Sequence, residues 1–160
     1  MKTEINNAVE TRDNESIILN PYKGINFYGK EILFGMSQKD VRKITGEKPT
    51  KIEIDNIMEE IREFRSGMIF TYIDKKMIDV TFTLNTDLII YTIEVFKCNN
   101  LIEELSKFDS PTTEGKNGYI NFYNLGISVG GFGKRKIPEK KLVSAFAKER
   151  IKFYQFFLQV

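Results

Sequence analysis

Apolar and polar positions along this chain change rhythm several times, and each rhythm predicts an element. Between Gly67 and Phe96, ten positions (Ile69, Phe70, Tyr72, Ile78, Val80, Phe82, Ile89, Tyr91, Ile93 and Val95) form three β-branched and aromatic runs. Asp74-Lys75-Lys76 and Asn85-Thr86-Asp87 separate them with turn chemistry, so the spacing predicts a three-stranded antiparallel meander. The apolar stretch 24–35 predicts a strand or small hairpin turning at Gly29-Lys30, and 119–133 predicts two short strands. The tetrapeptide Ile-Asn-Phe-Tyr falls in both stretches, at 25–28 and 120–123, and in each it is strand chemistry.

Two segments switch to helical grammar. In 36–49, Ser37 can cap a helix with Asp40 as the acidic half of a capping box. Met36 and Val41 form a hydrophobic staple, while Gly46 and Pro49 stop the helix, which is predicted over 38–45. In 99–109, Asn100 and Glu103 repeat the box, with Leu101, Leu105 and Phe108 on one face.

Residues 50–66 fit two templates. Ile57, Ile61 and Phe64 suit a helical face, and Ile52, Ile54 and 61–64 suit strands. The C-terminus is also double: Leu142, Phe146, Phe153 and Phe157 fit a helix from near Pro138, whereas comparison of the two halves favours a strand at about 141–148. Aligning the boxes at Ser37 and Asn100 gives the expected architecture. It is an α+β fold in which a helix plus three antiparallel strands occurs twice, at about 37–96 and 100–149, within a single domain over 17–160, preceded by a mobile polar arm at 1–16.

Gly35-Met36-Ser37-Gln38-Lys39-Asp40-Val41, followed by Thr45-Gly46-Glu47-Lys48-Pro49, resembles the opening of BamE/SmpA-like domains, a Gly-Met/Thr-Ser/Thr-x-x-acid-Val run closed by Gly-x-Pro. The β-lactamase inhibitory proteins, built from two similar helix-plus-sheet units, share that order of elements. The resemblance covers about 15 residues in detail. It departs in the extra residue between Gly46 and Pro49 and in the lack of an export signal. It implies a protein-binding module rather than an enzyme, with the target held against a concave sheet.

Composition narrows the chemistry. The 160 residues include 13 Phe and 7 Tyr but no Trp, so aromatic rings on strands are expected to supply much of the core. A single Cys98 excludes an intramolecular disulfide and fits a reducing cytosol. Residues 1–16 show no apolar signal segment, and no apolar run nears the roughly 18 residues that span a bilayer, so a cytoplasmic location and no membrane are expected. The chain has no histidine, which removes the usual general base and the commonest zinc ligand. No cofactor, metal or catalytic residue is expected.

The formal charge of +2 is small, but it is unevenly spread. Residues 53–63 hold Glu53, Asp55, Glu59, Glu60 and Glu63 against Arg62, a local net of −4, and 134–152 carries a local net of +6. The glycine-rich 130–136 lacks the first glycine and the Ser or Thr of a phosphate-cradling loop, since Ser128 and Arg135 stand there. Its Phe132, with Lys134, Arg135 and Lys136, is instead a candidate partner contact beside the five acids. The leading expectation is a cytosolic inhibitor of one protein partner, an immunity protein that occludes the active site of a bacterial toxin encoded nearby. The alternative is a nucleic-acid-associated module that uses the basic C-terminal region with Phe153, Tyr154, Phe156 and Phe157 as stacking rings.

Overall fold

A computed structural model describes residues 15–46 and 48–159, so the expected arm at 1–16 lies almost entirely outside the described residues. The chain runs β1 (Ile17–Asn20), β2 (Gly24–Phe27), β3 (Lys30–Leu33), α1 (Gln38–Thr45), β4 (Lys51–Asp55), β5 (Glu60–Arg65), β6 (Met68–Ile73) and β7 (Lys76–Thr83). It continues through β8 (Leu88–Ile90), β9 (Ile93–Glu94), α2 (Leu101–Ser106), β10 (Tyr119–Phe122), β11 (Ile127–Gly130), β12 (Leu142–Phe146), a 3-10 turn (Lys148–Arg150) and α3 (Ile151–Gln159). The strands make a five-stranded sheet ordered β3-β2-β1-β8-β9 and a seven-stranded sheet ordered β10-β11-β12-β7-β6-β5-β4.

This overturns the α+β expectation of two α-β-β-β units. Among the described residues the fold is mostly β, with two sheets and three short helices. Its two halves are not equivalent. The last strand of the expected first unit, β8, pairs in parallel with β1 in the smaller sheet, while that of the second, β12, lies between β11 and β7 in the larger one. The two Ile-Asn-Phe-Tyr copies likewise fall in different sheets, on β2 and β10.

Local chemistry explains the elements that match expectation. Helix α1 spans 38–45, with Ser37 Oγ accepting from Asp40 N at 3.2 Å and Gly46 closing the helix at φ 65°. Asp74 and Lys75, both at positive φ, turn β6 into β7 as a two-residue hairpin. The third strand of the expected meander leaves that sheet. Thr86 Oγ1 donates to Gly67 O at 2.8 Å and Ile17 N donates to Asp87 O at 2.9 Å, carrying the chain across to β1. Residues 50–66 form the β4–β5 hairpin, and the C-terminus is a strand over 142–146 followed by a helix.

One hydrophobic cluster draws on both sheets, with Ile17, Leu19, Ile25 and Ile32 from the smaller and Phe70, Phe82, Val129 and Val143 from the larger. Each fully buried aliphatic or aromatic side chain contributes about 1.5–3 kcal/mol. The seven-stranded sheet therefore has an inner face on this core and an outer face. Alternation along β7 sorts them: Val80 and Phe82 point in and are fully buried, and Thr81 and Thr83 point out and stay partly open. No helix among the described residues is long and apolar enough to cross a membrane.

Candidate functional site

The acidic segment was expected to act as one patch, but the structure divides it into accessible and buried carboxylates. Glu53, Asp55 and Glu59 are accessible on the β4–β5 hairpin, where Asp55 Oδ1 accepts from Ile57 N at 3.0 Å and Met58 N at 3.1 Å and so shapes the turn. Glu60 and Glu63 are buried and bound inside the protein. Glu63 accepts from Gln38 Nε2 at 2.6 Å, Arg42 Nη2 at 2.7 Å and Arg65 Nη2 at 3.2 Å, which ties α1 to β5. Burial pushes its carboxyl up, but the hydrogen bonds from Arg42 and Gln38 and the charges of Arg42 and Arg65 outweigh burial and hold it below the usual range.

Glu60 belongs to a second buried network, on the outer face. Arg150 bridges it at 2.5 Å to Asp79 at 3.4 Å, and Tyr154 Oη donates to Asp79 Oδ2 at 3.1 Å. Burial raises the Asp79 carboxyl above its ordinary value, against the nearby Arg150 charge and the hydrogen bonds from Thr71 and Tyr154. The network secures α3 over β10–β12, where Asn121 Nδ2 donates to Tyr154 O at 3.1 Å and Tyr154 stacks on Phe146 at 4.3 Å.

The basic loop also serves its own fold in part. Phe132 is half-buried against the core, with Lys141 Nζ 5.0 Å from its ring centre, rather than presented outward. The backbone N–H groups of Lys134 and Arg135 bind the Glu114 carboxylate at 2.9 and 2.7 Å, leaving the exposed cations of Lys134, Arg135 and Lys136 on a fixed loop. This loop joins β11 to β12 and the acids sit on β4–β5, with β12, β7 and β6 lying between β11 and β5. The structure therefore separates the two halves of the predicted site. Of the proposed stacking rings, Tyr154 is buried, Phe153 stacks on Phe157 at 6.0 Å, and Phe156 is exposed.

What the sequence reading missed is the outer face itself. Register places Lys51, Phe64, Ile69, Thr81, Ser144, Ser128 and Asn121 in one row across all seven strands. Helix α3 buries the Ser144–Asn121 end, while Phe64, Ile69 and Thr81, with Thr83 and Leu142 in the adjoining row, remain partly open. Lys51 Nζ lies 5.3 Å from the Phe64 ring centre and 2.6 Å from Glu53, and Arg62 is exposed alongside. The available signal was the strict alternation in Val80-Thr81-Phe82-Thr83, whose threonines mark a face that is neither core nor strongly charged.

Other arrangements offer less chemistry. A cleft of ≈ 590 Å³ lies between Tyr22, Phe34, Met77 and Phe153, but its deep charge, Arg150, is already held by Glu60 and Asp79. Among the described residues no group of three or more His, Cys, Asp or Glu could hold a metal ion. No protein-family model, no curated protein and no solved structure matches the chain.

Proposed function

We propose that this protein is a cytosolic binding protein that inhibits one protein partner, acting as an immunity protein against a toxin domain encoded beside it. The observation that supports this reading is the half-open outer face of the seven-stranded sheet. There Phe64, Ile69, Thr81, Thr83 and Leu142 offer an apolar and hydroxyl-bearing surface on a rigid scaffold, and Lys51, Glu53 and Arg62 rim it with charges of both signs. Interfaces combine such a depleted-charge centre with a polar rim. Occlusion needs no catalytic group on the inhibitor, since a sheet face large enough to cover a substrate cleft blocks it sterically. Glu53, Asp55 and Glu59 at one corner, and Lys134–Lys136 beyond α3, would then steer encounter rather than form the contact.

Co-expression with the product of the adjacent toxin-like gene tests the reading. A stable co-purifying pair with the toxin activity suppressed is expected, and failure of the two chains to associate would reject it. The nucleic-acid alternative predicts oligonucleotide binding that weakens steeply with salt, and no detectable binding at low salt would remove it.

A further inference from the structure

The two edges of the seven-stranded sheet are treated differently. At β10 the preceding loop covers the edge, with Thr112 N donating to Asn121 O, Asn121 N to Thr112 Oγ1 and Gly115 N to Tyr119 O, each at 2.9 Å. At the opposite edge, β4 has, among the described residues, a strand neighbour only in β5. Such an edge presents backbone donors and acceptors to any strand that reaches it. It also exposes large aliphatic side chains: Ile52 at 48%, Ile54 at 66% and, in the following turn, Ile57 at 94%.

The sequence of β4 says which strand fits. Reversed about Glu53, Lys51-Ile52-Glu53-Ile54-Asp55 meets a copy of itself with Lys51 opposite Asp55 twice, Ile52 opposite Ile54 twice, and Glu53 opposite Glu53 once. Antiparallel partners must both turn their hydrogen-bonding groups into the shared gap, so residues of the same parity must pair, and this register satisfies that for all five positions. A slip of two residues in either direction leaves only three pairs, and a slip toward the C-terminus sets Glu53 against Asp55. Ile52 and Ile54 share one face of the strand, so the two copies bring four isoleucines together beside the half-buried Ile61.

We propose that the protein forms a closed two-fold dimer by antiparallel pairing of β4 with β4 of a second copy, joining the two large sheets across the dyad. The interface is isologous and uses each copy's open edge once, and because the other edge is covered, growth stops at two chains instead of continuing as a fibre. Glu53 is the one unfavourable pair. Its own Lys51, 2.6 Å away, offsets part of that repulsion. The dimer goes beyond the inhibitor reading, because β4 supplies none of the five side chains at the centre of the open face.

Sedimentation equilibrium of the full chain from about 1 µM to about 1 mM tests the proposal. Wild type is expected to pass from monomer to dimer, with no larger species. Ile54→Asp, which puts a charge among the isoleucines, is expected to raise the dimer dissociation constant at least about tenfold. Lys51→Glu alone and Asp55→Lys alone set like charges opposite each other and should be monomeric, whereas their equimolar mixture is fully complementary and should dimerise. Because Asp55 also shapes the turn, Glu53→Gln provides a reading that leaves the turn alone: it should tighten the dimer about twofold to fivefold by removing the like-charge pair. A wild type that stays monomeric at the highest concentration, or a dimer indifferent to both Ile54→Asp and Glu53→Gln, would overturn the proposal.

Discussion

Replacing Glu63 by alanine isolates the contact that fixes α1 to the large sheet, and its cost can be worked from the exposure of the partners. The carboxylate is fully buried, and the two guanidiniums it holds differ: the Arg42 side chain is 42% exposed and the Arg65 side chain 3%. Arg42 can turn to water when its partner is lost, so its share is at most about 1 kcal/mol. Arg65 cannot, and removing a carboxylate from a buried charge costs up to about 3–5 kcal/mol. A total near 4 kcal/mol is a large fraction of the roughly 5–15 kcal/mol that holds such a chain folded. With a urea slope of about 2 kcal/mol/M, the unfolding midpoint should fall by about 2 M, and Arg42→Met should lower it by less than about 0.5 M.

The pH dependence follows from the lowered carboxyl pKa. A depressed folded value means that the contribution is fully present above the ordinary glutamate value of 4.5 and is lost as pH falls through the folded one. The gap between wild type and Glu63→Ala should therefore be widest near neutrality and close progressively below that value. Equal midpoints for the two proteins at neutral pH, or an Arg42→Met cost as large as that of Glu63→Ala, would refute the reasoning.

Two further substitutions probe the rest of the scaffold. Arg150→Met leaves Glu60 and Asp79 buried together without their shared cation, and is expected to cost about 3–5 kcal/mol and to speed amide exchange across 151–159 more than elsewhere, read by hydrogen-exchange mass spectrometry. Gly24→Ala would set a Cβ 2.1 Å from Ile32 O at a backbone φ of 142°, whereas Gly35→Ala, at φ 98°, meets nothing within 4 Å. Thermal unfolding should show the Gly24 variant losing clearly more than the roughly 1–2 kcal/mol expected of backbone strain alone at Gly35.

What was legible in the sequence was chemistry that acts over a few residues. Ser37, Asp40 and Gly46 define α1 because a cap and a left-handed stop are local devices. Asp74-Lys75 makes its hairpin for the same reason. The misread parts depend on partners far along the chain. Whether Leu88–Ile90 continues the β6–β7 sheet or crosses to pair with Ile17–Leu19 is decided by residues about 70 positions away, and periodicity is the same in both outcomes. Asn100 has the letters of a cap, yet α2 begins without a side-chain cap bond.

The candidate site was obscured by a similar ambiguity. A run of acids looks like a surface patch until the tertiary partners are known: Glu63 turns inward to Arg42 and Arg65, and Glu60, on the outer face, is buried under Arg150. Conversely, Thr81 and Thr83 carry no charge to draw notice, although they lie at the centre of the open outer face.

The claim that this face receives a protein partner is tested most directly by titrating the purified chain with the toxin domain encoded beside it, wild type against the Thr81→Arg/Thr83→Arg double variant, with urea midpoints as the folding control. The account predicts that wild type binds and that two guanidiniums in the middle of the face weaken binding by at least about a hundredfold at little cost to stability. Undiminished affinity in the double variant, or no association of the wild type, would contradict it.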